Sequence, residues 1–125
     1  MNPILVINDD NELLTEITDI LRDGNYLHIA ASSASQALTM ASGYDFNLVV
    51  LDLKLPDMDG DDLYDKLLKS EDHYTLPVVA LIDTLDTDEV KIVNRLLPKG
   101  TVTLLSKPLQ RERLEDLFAR YGVKK

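Results

Sequence analysis

The feature that most constrains this chain is a regular alternation of short apolar runs with amphipathic segments of helical period. The apolar runs ILVI, NLVVL and PVVALI are typical of strands covered by helices on both faces. Such an alternation predicts βαβ units with right-handed crossovers, and therefore an α/β fold around one parallel sheet. Five strands are predicted, at Ile4–Ile7, Tyr26–Ala30, Asn47–Leu51, Pro77–Ile82 and Val102–Leu105.

The segments between the predicted strands carry apolar residues at the spacing of helices that bury one face. Gly24 is a candidate C-cap of the first helix, and Ser33 with Gln36 has the spacing of a capping box that opens the second. The fourth helix should run from about Asp86 to Leu97 and end before Pro98. Because no linker or repeat interrupts the pattern, the whole chain, 1–125, is interpreted as one doubly wound domain with five helices. The first, third and fifth helices are marked by Leu13 to Leu21, Leu63 to Leu68 and Leu114 to Tyr121.

The composition excludes several classes of function. The net charge is −9, with 22 acidic and 13 basic residues, so the chain lacks the basic footprint that binds nucleic acid phosphates. No apolar run approaches the roughly 20 residues that span a bilayer, and the amino terminus does not resemble a signal peptide. The absence of cysteine excludes disulfides and thiolate metal sites. These features predict a cytoplasmic protein that contacts neither nucleic acid nor membrane.

Acidic residues follow several predicted strands at the edge where α/β sheets bind ligands. The first strand ends in Asn8-Asp9-Asp10, the third in Asp52, and the fifth is followed by Lys107. Carboxylates crowded at one edge favour Mg²⁺, which takes about six oxygen ligands. Asp9 and Asp52 are candidate ligands, together with a backbone carbonyl just after Asp52. A carboxylate can also attack phosphorus, and Lys107 could then balance the charge of an aspartyl phosphate.

Three motifs at these strand ends resemble those of bacterial and archaeal response-regulator receiver domains. Residues 52–60, DLKLPDMDG, match the phosphorylation-site pattern of that family at every position. ILVINDD resembles its first strand and acidic corner, and Leu105-Ser106-Lys107-Pro108 resembles its lysine–proline signature. The resemblance covers essentially the whole chain. It implies a flavodoxin-like fold, with the sheet order 2-1-3-4-5.

The resemblance also implies a role in two-component signal transduction. A histidine kinase or phosphotransfer protein would pass a phosphoryl group to Asp52, and an unknown downstream protein or fused output domain would respond. Mg²⁺ would bind Asp9, Asp52 and the backbone carbonyl of Lys54, while Lys107 would hold a phosphoryl oxygen. The domain would signal rather than act as an enzyme, apart from catalysing its own phosphorylation and dephosphorylation.

Three motif residues are implied to be structural. Pro56 lies within the phosphorylation-site pattern, and Pro108 would follow a cis peptide bond, which is costly anywhere but before proline. Gly60 would permit a backbone conformation in the following turn that a Cβ would hinder.

The first departure from the family pattern is Asn8, which replaces an acidic residue of the acidic corner. Asn8 could still accept a hydrogen bond from a metal-bound water, although one negative charge is lost. An alternative register would pair Asp9 with Asp10 instead. That register requires the strand to slip by one residue, which turns every side chain to the opposite face.

Two further departures lie at the positions through which the family switches conformation. Ile82 replaces the usual Thr or Ser, whose hydroxyl binds the phosphoryl group, and Leu104 replaces the usual rotating aromatic residue. Thr84 carries a hydroxyl two residues after Ile82, but from a different backbone position. The sequence therefore supports phosphorylation chemistry better than it supports the usual switch.

Other interpretations remain open from the sequence. The main alternative is a pseudo-receiver, a protein-interaction module that works independently of phosphorylation; Asn8, Ile82 and Leu104 favour it, while Asp9, Asp52 and Lys107 oppose it. A flavin carrier would need a Ser/Thr/Gly-rich phosphate loop after the first strand, where this chain has acidic residues. A phosphatase with an aspartate nucleophile would need a cap segment that does not fit in this length.

Overall fold

Strands and helices alternate along the part of the chain that the computed structural model describes, namely residues 2–43, 45–69, 76–83 and 86–123. A short 3₁₀ helix, Leu97–Lys99, follows the fourth α-helix. Among these residues, none of the helices combines the length and the apolar character of a membrane-spanning segment. The elements are β1 (Ile4–Ile7), α1 (Asn11–Asp23), β2 (His28–Ala31), α2 (Ala34–Ala41), β3 (Leu48–Asp52), α3 (Gly60–Lys69), β4 (Val78–Ile82), α4 (Thr87–Leu96), β5 (Val102–Ser106) and α5 (Arg111–Arg120).

The five strands form one sheet with the order β2-β1-β3-β4-β5, and every pair of neighbours is parallel. The predicted fold class and strand order are therefore confirmed. Ile7 lies opposite Leu51, and Asp52 lies opposite Leu81, so these strands end at nearly the same level. Side chains that follow β1, β3, β4 and β5 consequently meet at a single edge.

Two apolar layers hold the sheet, because successive strand residues point to opposite faces. On one face, Leu5, Leu51 and Val49 pack with residues of α2, α3 and α4. On the other face, Val6 and Val50 pack with residues of α1 and α5. Full burial of a Leu or Ile side chain contributes about 1.5–3 kcal/mol, so these layers fix the strand ends firmly.

The connection from α1 to β2 differs from the prediction in one respect. Gly24 is the C-cap of α1, as expected, but the left-handed residue is Asn25, with φ 60°. The backbone N–H of Tyr26 donates to the Leu21 carbonyl at 2.8 Å and closes the helix. Tyr26 is therefore a buried residue of the helix terminus, and β2 begins only at His28.

The caps of α2 and α4 follow the sequence signals in part. Ser33 caps α2 by accepting the N–H of Gln36, but the Gln36 side chain accepts from Ser32, so only half of the capping box forms. Asp86 caps α4, and Pro98 lies inside the 3₁₀ helix that follows rather than beyond the helical segment. A proline is tolerated there because the first turn of a helix needs no N–H donor at that position.

A group of ion pairs fastens α4 to α3. The Asp61 carboxylate is buried, with 1% exposure, and lies 2.7 Å from Arg95 Nε and 3.9 Å from Lys99 Nζ. Burial acts to raise the pKa of Asp61, but the hydrogen bonds and charge of Arg95 outweigh it and keep the pKa below its usual value. Arg95 also pairs with Asp59, and Lys99 with Asp65. The acidic start of α3 is thus neutralised by cations of the following helical segment.

Candidate functional site

An open cavity of about 250 Å³ lies at the carboxyl edge of the sheet. It brings together Asp9, Asp52, Lys54 and Lys107, the four cavity residues for which the sequence predicted a role. They meet because the strands that carry or precede them end at one level. Six carboxylates and two ammonium groups surround it, which makes it strongly anionic. The lining residues are Asp9, Asp10, Asp52, Lys54, Asp83, Asp86, Glu89 and Lys107.

Asp52 is the last residue of β3 and is half-buried at the cavity. Its pKa is raised to about 6, first by burial and then by a side-chain hydrogen bond with Asp9. The positive charge of Lys107 and the backbone N–H of Lys54 act in the opposite direction, since both stabilise the carboxylate. At neutral pH, Asp52 is therefore an anion held by an ammonium group and a backbone N–H.

The acidic corner has the register in which Asn8 precedes Asp9. Asn8 is fully buried, and its Oδ1 accepts the N–H of Asp10 at 2.8 Å. The Asp10 carboxylate caps α1 by accepting the N–H groups of Glu12 and Leu13. Asp9, rather than Asp10, lies within hydrogen-bond reach of the Asp52 carboxyl group at the end of β3. The alternative register, in which Asp9 and Asp10 act as a pair, is thus not the one observed.

The side-chain amide of Asn8 has a hydrogen-bond partner for its oxygen but none for its nitrogen in the described structure. The nitrogen, Nδ2, is a buried donor. The predicted hydrogen bond from a metal-bound water to Asn8 would use the second lone pair of Oδ1, because that oxygen already accepts the N–H of Asp10. An unsatisfied buried donor costs about 1–3 kcal/mol, so the site would gain from an acceptor here.

Lys107 follows β5 and lines the cavity, and its backbone N–H donates to the Ile82 carbonyl at 3.0 Å. This bond ties the segment after β5 to the end of β4. The peptide bond between Lys107 and Pro108 is cis, as the motif predicted.

The loop between β3 and α3 explains the glycine of the phosphorylation-site motif. Gly60 is the first residue of α3, and the predicted hindrance of a Cβ there does not arise from a positive φ. Instead, a Cβ at this position would lie 3.2 Å from the Leu53 carbonyl oxygen and 3.3 Å from that of Asp52. Gly60 therefore permits close backbone approach beside the site. Pro56 lies exposed in the same loop.

Asp57 fastens this loop to α2, which the sequence did not predict. Its carboxylate oxygens accept the N–H groups of Ala34 at 3.0 Å and Ser35 at 2.9 Å. These hydrogen bonds, the one to Ser35 first, lower the pKa of Asp57. The loop that follows Asp52 is thus held at a helix terminus as well as by its own backbone.

Sequence reasoning also missed a set of contacts between the β3–α3 loop and α4. Lys54 Nζ lies 2.9 Å from the Asp86 carboxylate, and Asp86 also accepts the N–H of Glu89 at 2.9 Å. The Lys54 side chain, first by its hydrogen bond, lowers the pKa of Asp86. Glu89 is 4% exposed and accepts the N–H of Asp83 at 3.1 Å. The spacing Asp86-x-x-Glu89, typical of a helix start, is the signal that could have found this cluster.

The two positions of the usual switch lie at β4 and β5. Ile82 ends β4, is 8% exposed, and belongs to the buried apolar cluster on one face of the sheet. Leu104 lies on β5 and is 38% exposed. Thr84, considered as a substitute hydroxyl, lies outside the described residues.

Comparison with known proteins agrees with this architecture. A family model for the response regulator receiver domain matches residues 4–119. The chain belongs to this family. It is 30% identical over 120 residues to the response regulator protein FleR of Pseudomonas aeruginosa, and 28% identical over 114 residues to the signal transduction histidine-protein kinase BarA of Escherichia coli strain K12. The predicted receiver domain of two-component signalling is thereby confirmed.

The matches differ in how much of each relative they span. The aligned region covers 96% of this chain but 24% of FleR, and 90% of this chain but 12% of BarA. A crystal structure of the receiver domain of sensor histidine kinase PA1611 from Pseudomonas aeruginosa has a TM-score of 0.82, with 23% identity and 96% of each chain covered. A magnesium ion is coordinated in the active site cleft of that protein. The receiver domain thus corresponds to a small part of the two curated relatives.

Proposed function

We propose that this receiver domain accepts a phosphoryl group on Asp52 from a histidine kinase or phosphotransfer protein, with the help of Mg²⁺. The observation that carries the proposal is the placing of Asp52 beside both Asp9 and Lys107 in one open, anionic cavity. The cavity is open to solvent, so a donor can approach. An unknown downstream protein or fused output domain would then respond to the modified domain.

The donor set suits Mg²⁺, because the side-chain oxygens of Asp9 and Asp52 lie close enough for one carboxyl group to hydrogen-bond the other when it is protonated. Mg²⁺ would be held by these two carboxylates and by the backbone carbonyl of Lys54, with Asn8 in contact through water. When bound, the ion supplies positive charge that screens an anionic donor from an anionic acceptor.

The residues of the chain would act as follows during transfer. An oxygen of the ionised Asp52 carboxylate forms a bond to phosphorus while the bond between phosphorus and its donor atom breaks, and the leaving group keeps that electron pair. Lys107 would hold a phosphoryl oxygen with its ammonium group. The pKa of Asp52, about 6, leaves this nucleophile mostly ionised at neutral pH.

Labelling by a small phosphoryl donor tests this proposal. The native chain and Asp52→Asn are incubated with radiolabelled acetyl phosphate, with Mg²⁺ or with a chelator. We expect label on the native chain only when Mg²⁺ is present, and none on Asp52→Asn. Asp62→Asn is the matched control, since Asp62 is exposed in the first turn of α3 and does not line the cavity. Undiminished labelling of Asp52→Asn would mean another acceptor.

A pseudo-receiver that binds proteins regardless of phosphorylation is the second candidate. The observation that favours it is the burial of Ile82 in the apolar core, at the position where the family has a hydroxyl. The same labelling experiment separates the two candidates, because a pseudo-receiver would take up no label in its native form.

A further inference from the structure

Glu89 is a buried carboxylate that the proposed phosphoryl transfer does not use. It lies in the first turn of α4, is 4% exposed, and lines the same cavity as Asp52. Its Oε2 accepts the backbone N–H of Asp83, the residue that follows β4. A buried charge is costly unless it is hydrogen-bonded or paired. The position of Glu89 therefore depends on contacts of this kind between α4 and the end of β4.

A second set of contacts connects the same turn to the acceptor. Asp86 accepts the N–H of Glu89 and pairs with the Lys54 side chain. Lys54 in turn donates its backbone N–H to the Asp52 carboxylate. A continuous series of contacts thus runs from Asp52 through Lys54 and Asp86 to the first turn of α4.

Glu89 and a phosphoryl group on Asp52 would both bring negative charge into the cavity and would both accept hydrogen bonds there. Six carboxylates and two ammonium groups already line the cavity of about 250 Å³. A phosphoryl group adds negative charge and strong acceptor oxygens, which need hydrogen-bond donors. The N–H of Asp83 is one such donor in the cavity lining, and Glu89 accepts it. The Glu89 carboxylate and a phosphoryl group on Asp52 would both accept from this N–H. Their negative charges would repel each other strongly, because the space between them is partly desolvated.

We infer that Glu89 is a latch: it fastens the first turn of α4 to the end of β4, and a phosphoryl group on Asp52 displaces it. The N–H of Asp83 then becomes available to a phosphoryl oxygen, and residues 87–90 move away from β4. The inference rests on the proposed role of Asp52. It gives the domain a response that needs neither a hydroxyl at residue 82 nor an aromatic ring at residue 104.

The ion pairs between α3 and α4 limit how far this movement spreads. Arg95 is held by the buried Asp61, and Lys99 by Asp65, so the second half of the helical segment stays against α3. Displacement is therefore expected in the first turn of α4 and at Asp83, but not at β5.

Titration with beryllofluoride, a mimic of the phosphoryl group, tests the latch in the full chain with Mg²⁺ present. Glu89→Gln keeps the shape and an acceptor oxygen but removes the charge, so beryllofluoride should bind roughly tenfold more tightly. Asp88→Asn is the matched control. It removes one charge from an exposed neighbour in the same turn and should change the affinity by less than about threefold.

Amide chemical shifts of the native chain provide a readout that needs no variant. Saturable beryllofluoride-dependent shifts are expected at Asp83 and at residues 87–90, and these shifts should shrink in Glu89→Gln. If the native chain fails to bind beryllofluoride, the proposed role of Asp52 and the latch both fail. If it binds, yet Glu89→Gln behaves like Asp88→Asn or residues 87–90 do not respond, only the latch is overturned.

Discussion

The carboxyl edge of the sheet has two regions that differ in what they retain of a receiver domain. In the first region, Asp9 after β1 and Asp52 at the end of β3 share one cavity with Lys107, which reaches it from the end of β5, as the proposed chemistry requires. Around β4 and β5, Ile82 and Leu104 offer neither a hydroxyl nor a ring. In the proposed function, phosphoryl transfer and its conformational readout would depend on different side chains. One can therefore persist while the other changes.

Packing explains why the second region suits an apolar residue. Ile82 is buried in the cluster that includes residues of α3 and α4, so its side chain contributes to stability. A hydroxyl in the same place would need a hydrogen-bond partner, which the phosphorylated state alone could supply. A ligand shifts a conformational equilibrium only by its differential interaction with the two states. Without that hydroxyl, we expect little of the phosphoryl group's effect to reach β5.

The largest predicted effect is the loss of phosphoryl labelling when Lys107 is replaced. Lys107→Ala removes a charge that would hold the phosphoryl oxygen, and labelling of Asp52 should slow by about 100-fold. Urea unfolding should change by less than about 1 kcal/mol, since the ammonium group faces Asp52 in an open cavity where water screens the charges. Lys91→Ala, at an exposed lysine of α4, is the control. An equal loss of labelling in both variants would remove Lys107 from the site.

The raised pKa of Asp52 predicts a stability effect in the metal-free chain. Because its folded-state pKa is about 6 and its ordinary value is about 4, the folded chain holds this proton more tightly than the unfolded chain. Stability therefore falls as the pH rises through this window. Asp52→Asn should be more stable than the native chain at about pH 7.5, by about 1–2 kcal/mol once solvent screening of this partly exposed group is allowed for, and the gap should close toward about pH 4.

Urea unfolding at both pH values, with a chelator present, measures this difference. A gap that is the same at both pH values would contradict the raised pKa, because an effect of shape alone does not follow the titration of a carboxyl group.

The second region can be altered by restoring the missing hydroxyl. Ile82→Thr should cost about 1–2 kcal/mol of stability, because it exchanges apolar surface for a hydroxyl that lacks a partner in the unphosphorylated state. In return, beryllofluoride should produce larger amide shifts along β5 than in the native chain. Ile82→Val, which shortens the side chain without adding a hydroxyl, is the control. Equal responses in the two variants would show that the hydroxyl adds no coupling.

The smallest predicted effect concerns the acidic corner. Asn8→Asp should tighten Mg²⁺ binding by about fivefold, because it adds a negative charge beside Asp9 and Asp52. It also replaces the partnerless Nδ2 with an acceptor, while the other oxygen can still receive the Asp10 N–H. The metal-free variant should be less stable through carboxylate repulsion. Calorimetric titration measures the affinity, and unchanged or weaker binding would contradict this role for Asn8.

Much of the fold could be predicted, because apolar runs and helical spacing report burial directly. The strands differ from prediction by at most two residues at either end, and the largest difference is at Tyr26. Its ring packs edge to face with Phe118 at 4.8 Å, so its apolar character serves the core and not a strand. An apolar residue that will be buried looks the same in the sequence whether it lies in a strand or at the end of a helix.

The site could be predicted only where a motif identifies the residues. Asp9, Asp52 and Lys107 follow from strand ends and the family pattern. Glu89 lies in an acidic stretch that reads as solvated surface, and its burial depends on how α4 returns across the end of β4. The hindrance of a Cβ at Gly60 was predictable from the motif, but the atoms that cause it were not, because close approach between backbones is a property of tertiary structure.

We expect the chain to accept a phosphoryl group without the usual relay to β5. Amide chemical shifts of the native chain, recorded with Mg²⁺ and with or without beryllofluoride, test it most directly. We predict saturable changes around Asp52, Asp83 and Lys107 and in the first turn of α4, with only slight changes at Leu104 and along α5. Large, saturable changes along the whole face formed by α4, β5 and α5 would contradict the claim, since the relay would then run through other residues.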